Sequence, residues 1–307
     1  MQRKMRVLIT GGAGFIGSNV ARLLEKEKNQ VFILDNFSHA NFKNIADLNA
    51  EVICADILDQ TIFNKLPKID AIIHEAAITD TTLADDTKMM MVNFVGFKNV
   101  LNFCLLRKIK LVYASSAGVY GLAGSLMSES NKIISHNTYG YSKYLCDCLT
   151  NKLMKKKNIS SIVGLRYFNV YGPGESHKEK SASMIYQLYL QMKAGKSPKI
   201  FKYGDQKRDF IYVKDVARIT AEALKLKSCN ILNVGTGKAQ SFNEMISIMN
   251  KVLKTNLKSE YFNNPYTGNY QDFTQADITL LKKVLNIEAK FSFYEGIKDY
   301  IRSYLEA

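Results

Sequence analysis

The run Val7-Leu8-Ile9-Thr10-Gly11-Gly12-Ala13-Gly14-Phe15-Ile16-Gly17 constrains the fold of this chain more than any other segment. An apolar, β-branched stretch leads into glycines three residues apart, and a helical pattern from Phe15 to Lys26 follows at once. Strand, glycine turn and helix in that order open a nucleotide-binding βαβ unit. Gly11 permits the tight turn, Gly14 lets a pyrophosphate approach backbone N–H groups at the helix N-terminus, and Gly17 allows close helix packing. A glycine string alone is weak evidence. Here Asp35 answers it from the end of a second apolar run, Val31 to Asp35, where a carboxylate can meet the adenosine ribose.

Further apolar runs recur at Glu51 to Ala55, Ala71 to Glu75, Leu111 to Ser115 and Ser161 to Phe168. Helical periodicity fills the gaps, as in Ser18 to Lys26 and Met90 to Cys104. This alternation predicts an α/β protein built on a Rossmann-type, doubly wound parallel sheet. The pattern breaks at Asn169. Val170 to Gly174 reads as a turn, a basic loop and an amphipathic helix near Ser183 to Lys193 follow, and Asp209 to Val213 and Asn230 to Val234 read as segments returning to the sheet. The expected division is a coenzyme domain of residues 1–168 plus about 210–236, with a smaller, discontinuous α/β substrate lobe of 169–209 and 237–307. The ligand belongs in the crevice at the carboxyl ends of the strands.

Composition narrows the function classes. No apolar run approaches the roughly 18 residues of a membrane span, and the N-terminus leads into a strand instead of a signal-peptide core, so cytoplasmic residence without membrane contact is the expectation. Five cysteines and four histidines are scattered without metal-ligand spacing, which predicts no metal and reduced, mostly buried thiols. The net charge of +14 is spread along the chain, and its densest run, Lys155 to Lys157, follows a helix whose C-terminus suits cations. With no nucleic-acid-binding motif, an anionic small molecule is the expected partner and nucleic acid is not.

The chemistry is carried by Tyr139 and Lys143, one helical turn apart, and by Ser115-Ser116 at a strand end before them. A free phenol titrates near about 10, and an ammonium beside it stabilises the phenolate. Tyr139 can then take a hydroxyl proton while hydride leaves to a nicotinamide, with Lys143 also anchoring the nicotinamide ribose and Ser116 holding the reacting oxygen. For the coenzyme, Asp35 favours NAD because a carboxylate repels a 2′-phosphate, whereas Asn36 and the cation Lys43 admit NADP; both stay open. Asp56 and Ile57 meet the adenine or form a cap. Lys178 reads as a solvated loop lysine unless its loop folds over the crevice, and Arg208 as a diphosphate grip or a local ion pair.

These residues resemble the extended short-chain dehydrogenase/reductases that act on nucleotide sugars. The likeness runs through the glycine loop, His74-Glu75-Ala76-Ala77, Tyr113 to Ala117, Tyr139 to Lys143, Arg166 to Pro173 and Arg208 to Val213. Ser197 to Phe201 and Tyr270 to Asp277 look most like the branch that epimerises ADP-heptose. The resemblance implies a tightly held NADP, transient oxidation at C6″ of an ADP-heptose, and return of hydride to the opposite face, giving a heptose donor for lipopolysaccharide core. It implies Tyr139 as one acid/base and Lys178 as the second. Asn169, Phe201, Arg208 and Tyr270 would hold the nucleotide sugar, while Phe15, Ile16, Asp35, Asn36, Lys43, Glu75 and Asn93 would line the coenzyme site, with Ala76 and Ala77 beside Glu75. Lys180 and Gln187 face the sugar or diphosphate by the same matching, and there the family usually has serine and histidine. A homo-oligomer, such as a homopentamer, is implied too.

Competing readings separate on single residues. A 4,6-dehydratase needs an Asp-Glu pair after the strand-end serine, where this chain has Ala117-Gly118. A UDP-hexose 4-epimerase needs one base and a rotating sugar, and remains the enzymatic alternative. A coenzyme-binding sensor or basic RNA-associated protein is the non-enzymatic one, against which the serine, tyrosine and lysine weigh.

Overall fold

Two-sided burial explains why the strand segments read as nearly unbroken apolar runs: β-branched residues face helices above and below the sheet. The computed structural model describes residues 4–80, 85–122, 124–156, 160–265 and 271–306. In chain order the strands are β1 (Arg6–Thr10), β2 (Gln30–Asp35), β3 (Glu51–Cys54), β4 (Ala71–His74), β5 (Lys110–Ser116), β6 (Ile162–Tyr167), β7 (Asn169–Tyr171), β8 (Lys199–Phe201), β9 (Lys207–Tyr212), β10 (Asn230–Val234), β11 (Ala239–Ser241) and β12 (Glu260–Phe262). The α-helices are α1 (Phe15–Lys26), α2 (Asp86–Met90), α3 (Gly96–Arg107), α4 (Thr138–Met154), α5 (Met184–Lys193), α6 (Val213–Ala223), α7 (Phe242–Leu253), α8 (Thr279–Leu285) and α9 (Phe293–Tyr300).

Seven parallel strands form the main sheet in the order β10-β6-β5-β4-β1-β2-β3. Val7 of β1 stands opposite Val31 on one side and Ala71 on the other. The winding reverses between β1 and β4, so the crevice opens there, at the carboxyl ends that carry Gly11 and Glu75. Alternation along β1 sends Val7 and Ile9 to the face under α1 and α6, and Leu8 to the face under α3 and α4.

One helix is longer than its periodicity predicts, which covers Met90 to Cys104. Helix α2, a π turn (Met91–Val95) and α3 run on as a single helix of 22 residues, Asp86–Arg107, which by length and composition alone could cross a membrane. It packs against β4, β5 and α4, burying Phe97, Val100, Leu101 and Cys104.

The second lobe gathers α5, α7 and α9 around Ile185, Leu188, Phe242, Met245, Ile297 and Tyr300. Two expectations are corrected here. Val170 and Tyr171, read as the start of a turn, belong to strand β7, and β9 does not return to the main sheet. The edge of β6 is taken by β10, so β9 pairs parallel with β7 and antiparallel with β11. A boundary at about 210 therefore cuts through β9. The thiols also differ from expectation. All five are free, but only Cys104 and Cys146 are buried, and Cys54 is exposed.

Candidate active site

A cleft of about 1040 Å³ lies over the carboxyl ends of β1, β4, β5 and β6. A second depression of about 640 Å³ on α7 is lined by Asn243, Asn250 and Tyr261, whose polar groups bond one another and nearby backbone, so the chemistry belongs to the first.

The glycine turn shapes one end of it. Gly11 has φ +68°, and a Cβ there would lie 2.5 Å from the Ala76 nitrogen. At Gly17 a Cβ would fall on the Gly11 carbonyl oxygen, whereas at Gly14, the N-cap of α1, it would meet only that oxygen, at 3.1 Å. The glycines thus keep open a cradle at a helix N-terminus, which fits a dinucleotide pyrophosphate. Asp35 braces the cradle: Oδ2 accepts from Ala13 N at 3.0 Å and Oδ1 from Phe37 N at 2.9 Å. Asn36 accepts from Ser38 N and Oγ and donates to Asp56 Oδ2 at 2.9 Å. Asp56 also accepts from Leu58 N, so it both shapes a turn and lines the cleft with Ile57.

Further along, Glu75, Ala76 and Ala77 form the wall after β4. Tyr167 Oη donates to Glu75 Oε1 at 2.8 Å, yet burial raises the Glu75 carboxyl to about 7. His74 behind it contacts Thr10 Oγ1 through Nδ1 at 2.7 Å and has no partner for Nε2 among the described residues. Burial lowers that imidazole to about 3, with the Lys143 charge acting in the same direction.

Three elements bring the reactive groups together. Asn137 caps α4 by accepting from Gly140 N at 2.8 Å, which sets Tyr139 in the first turn. Lys143, one turn on, is 2% exposed and donates to the Ala114 carbonyl at 2.8 Å. Ser116 ends β5 and accepts from Gly118 N at 3.0 Å. A Cβ built on Gly118 would lie 3.3 Å from Ser116 Oγ and 3.7 Å from the Tyr139 ring, so glycine keeps the space between them clear. Lys178 enters on the turn Ser176–Ser181, its ammonium 5.7 Å from the Phe15 ring centroid. Burial lowers its pKa and the Glu175 charge opposes that shift. A phenol, a hydroxyl and two ammonium groups thereby line one cleft, a set that can move a proton at a substrate hydroxyl.

Other expected residues stand elsewhere. Lys43 is on the exposed turn Phe42–Asn44, outside the lining. Asn93 is buried beneath the site: it exchanges two hydrogen bonds with Ile78 and donates to Ser142 Oγ. Asn169 donates to Asp209 O and Thr274 Oγ1, Phe201 packs edge-on against Phe262 at 4.9 Å, and Arg208 is 7% exposed on β9. The Asp209 carboxylate accepts from Thr236, Gly237 and Ala276. Lys180 is exposed, and Gln187 donates to the Lys180 and Ala182 carbonyls at 3.0 and 2.8 Å. Tyr270 lies outside the described residues. The cleft also includes Tyr167 and His177, which sequence reading passed over although they adjoin the Phe168-Asn169 motif and Lys178.

Residues 7–235 match the NAD dependent epimerase/dehydratase family. Among solved structures, Helicobacter pylori ADP-L-glycero-D-manno-heptose-6-epimerase is similar at 38% identity and TM-score 0.91, over 98% of this chain and 96% of that one. Methanobrevibacter ruminantium UDP-N-acetylglucosamine 4-epimerase is similar at 26% identity and TM-score 0.92, over 99% of both chains. Thermotoga maritima UDP-glucose 4-epimerase, solved with UDP-glucose, is similar at 26% and 0.91, over 98% of this chain and 99% of that one.

Proposed function

The chain belongs to the NAD dependent epimerase/dehydratase family, and from that premise we propose that it inverts C6″ of an ADP-heptose, using NADP held in the cleft. The observation that supports this reading most is that Tyr139 and Lys178 line one cleft from separate elements, α4 and the 172–183 loop. Two such groups give the reacting carbon acid/base help from both faces, whereas a 4-epimerase inverts with one base and a sugar that rotates.

The nicotinamide, when bound, supplies a hydride acceptor that can return the hydride to carbon. The chain's own residues do the rest. Gly11, Gly14, Gly17, Phe15 and Ile16 cradle the pyrophosphate, Asp35 and Asn36 hold the adenosine ribose, Asp56 and Ile57 border the adenine, and Lys43 supplies a cation for a 2′-phosphate. Glu75, Ala76 and Ala77 wall the nicotinamide end, and Lys143 fixes its ribose. Ser116 hydrogen-bonds the C6″ oxygen. Tyr139 removes the hydroxyl proton on one face, and Lys178 delivers a proton to the oxygen once the carbonyl has presented its other face. Asn169, Lys180, Gln187, Phe201, Arg208 and Tyr270 hold the nucleotide sugar, and the active form is a homo-oligomer.

The 26% identical UDP-sugar 4-epimerases superpose as fully as the heptose enzyme, which supports a UDP-hexose as the second reading. Separate incubations with ADP-D-glycero-β-D-manno-heptose and UDP-glucose, followed by proton NMR, test the choice. Change at C6″ of the heptose and none at C4″ of glucose is expected, and the reverse pattern overturns the heptose assignment.

A further inference from the structure

Of the two proposed proton carriers, Tyr139 is fixed by a helix and Lys178 stands on a loop, so something must hold that loop in place. The loop leaves β7 at Gly172 and enters α5 at Ser183, and both ends meet on one side chain. Glu175 has no exposed surface. Its Oε1 accepts from Gly172 N at 3.0 Å and from Ser183 Oγ at 2.9 Å, and its Oε2 from Ser183 N at 2.6 Å. The Tyr300 hydroxyl of α9 neighbours the same carboxylate. Its own carbonyl accepts from Lys178 N at 2.9 Å, starting the turn that carries Lys178.

The neighbouring backbone shows that this loop needs holding. Glu179, directly after Lys178, has φ 47° and ψ −116°. A non-glycine residue in such a region is strained and persists only where its surroundings over-determine it. The Glu175 clamp does so from inside, with help from Gln187 on the Lys180 and Ala182 carbonyls and from Asn44 Nδ2 on the Gly174 carbonyl at 3.2 Å.

Charge points the same way. A buried carboxylate is costly unless hydrogen bonds and a cation compensate it. Glu175 and Lys178 attract each other, each opposing the shift that burial imposes on the other. The other titratable groups here are Glu179 and Lys180 on the same turn, His177 beside Lys178 with Asp35 and His39 beyond it, and Tyr300 beside Glu175, with Tyr186 and Tyr212 next to Tyr300.

We propose that Glu175 is a positioning residue: its carboxylate closes the loop that presents Lys178 and supplies the anion that holds the Lys178 ammonium in the cleft. This inference rests on the reading of Lys178 as the second proton carrier.

Glu175→Gln tests it, since the amide oxygen keeps an acceptor for Gly172 N and Ser183 Oγ, at the loss of the Ser183 N bond, while removing the charge. The measurements are kcat and KM for C6″ epimerisation from about pH 6 to about pH 10, with thermal midpoint and bound-coenzyme absorbance as controls. The limb that belongs to Lys178 is the one present in the epimerisation profile and absent from the dismutation profile of a C6″ aldehyde analogue, where Tyr139 alone carries the proton, and Lys178→Met is run in parallel for loss of epimerisation. The expected result is a folded, coenzyme-loaded Glu175→Gln protein with kcat down by about 10-fold or more. KM should change little, and the Lys178 limb should move to lower pH because the ammonium has lost its anion. A limb that stays in place overturns the proposal, whether or not kcat falls, because a mere loop staple would leave it there. Should Glu175→Gln fail to fold, Glu175→Asp decides: the charge remains and the reach shortens, so kcat should fall with the limb unmoved, and unchanged kcat contradicts the proposal. If Lys178→Met epimerises normally, the reading of Lys178 itself is wrong. If it does not, and Glu175→Gln behaves like the parent, only Glu175 is misassigned.

Discussion

The Lys143 ammonium donates to the Ala114 carbonyl at 2.8 Å, tying helix α4 to strand β5 two residues before Ser116. The bond holds the helix at a fixed height over the strand end, so Tyr139, one turn earlier, keeps its place relative to Ser116. Tyr139→Phe leaves this tie intact. Turnover should therefore fall by at least about 10²-fold while coenzyme remains bound, as read by steady-state rate and nicotinamide absorbance. Near-normal turnover would remove Tyr139 as a proton carrier.

Lys178→Met should abolish epimerisation and spare oxidation and reduction at the Tyr139 face. The check is a dismutation assay with a C6″ aldehyde analogue, in which one molecule is reduced as another is oxidised. Dismutation should continue at a rate within about 10-fold of the parent, since a single proton carrier suffices for it. Unchanged epimerisation would return Lys178 to the role of a solvated loop residue.

Lys43→Ala bears on coenzyme choice. Lys43 stands on the exposed turn Phe42–Asn44, and the next residue, Asn44, bonds the Ala13 carbonyl of the glycine loop at 3.1 Å. A 2′-phosphate can thus be met from just outside the lining. Titration should show NADP weakened by about 10-fold or more and NAD by much less. Equal weakening of both would defeat the 2′-phosphate argument.

Two buried neighbours should give opposing pH dependences of stability. Glu75, raised to about 7 by burial, keeps in the folded state a proton that the unfolded chain releases from its ordinary value upward, so its contribution is lost as pH rises through the window up to about 7. His74, lowered to about 3 by burial, must take up a proton on unfolding below its ordinary value, so its contribution is lost as pH falls through about 6.5 toward 3. Each can tilt stability by at most about 1.4 kcal/mol per pH unit. Glu75→Gln should therefore steepen the acid loss of thermal midpoint between pH 7 and 5, and an unchanged slope would show that Glu75 ionises normally.

The glycine-loop end of the cleft was legible in the sequence because its determinants are local. Gly11, Gly14 and Gly17 belong to one strand-turn-helix, and Asp35 ends the adjoining strand. Asn93 is assigned to the coenzyme by family resemblance alone, and periodicity does not say that its carboxamide turns inward to Ile78. The Asp209 segment is plainly a strand in sequence, and nothing in its residues tells which sheet takes it; β10 on the β6 edge decides. Glu175 carries no signal in the sequence, since its three backbone and hydroxyl donors come together only when β7 and α5 are both in place.

The central claim is that this chain inverts a nucleotide sugar by removing and returning one hydride. ADP-D-glycero-β-D-manno-heptose deuterated at C6″, incubated with the purified protein and no added coenzyme, tests it most directly by proton NMR of both epimers. The account predicts a mixture of epimers with the deuterium still at C6″. Conversion with loss of deuterium to solvent, or no conversion by folded, coenzyme-loaded protein, would contradict it.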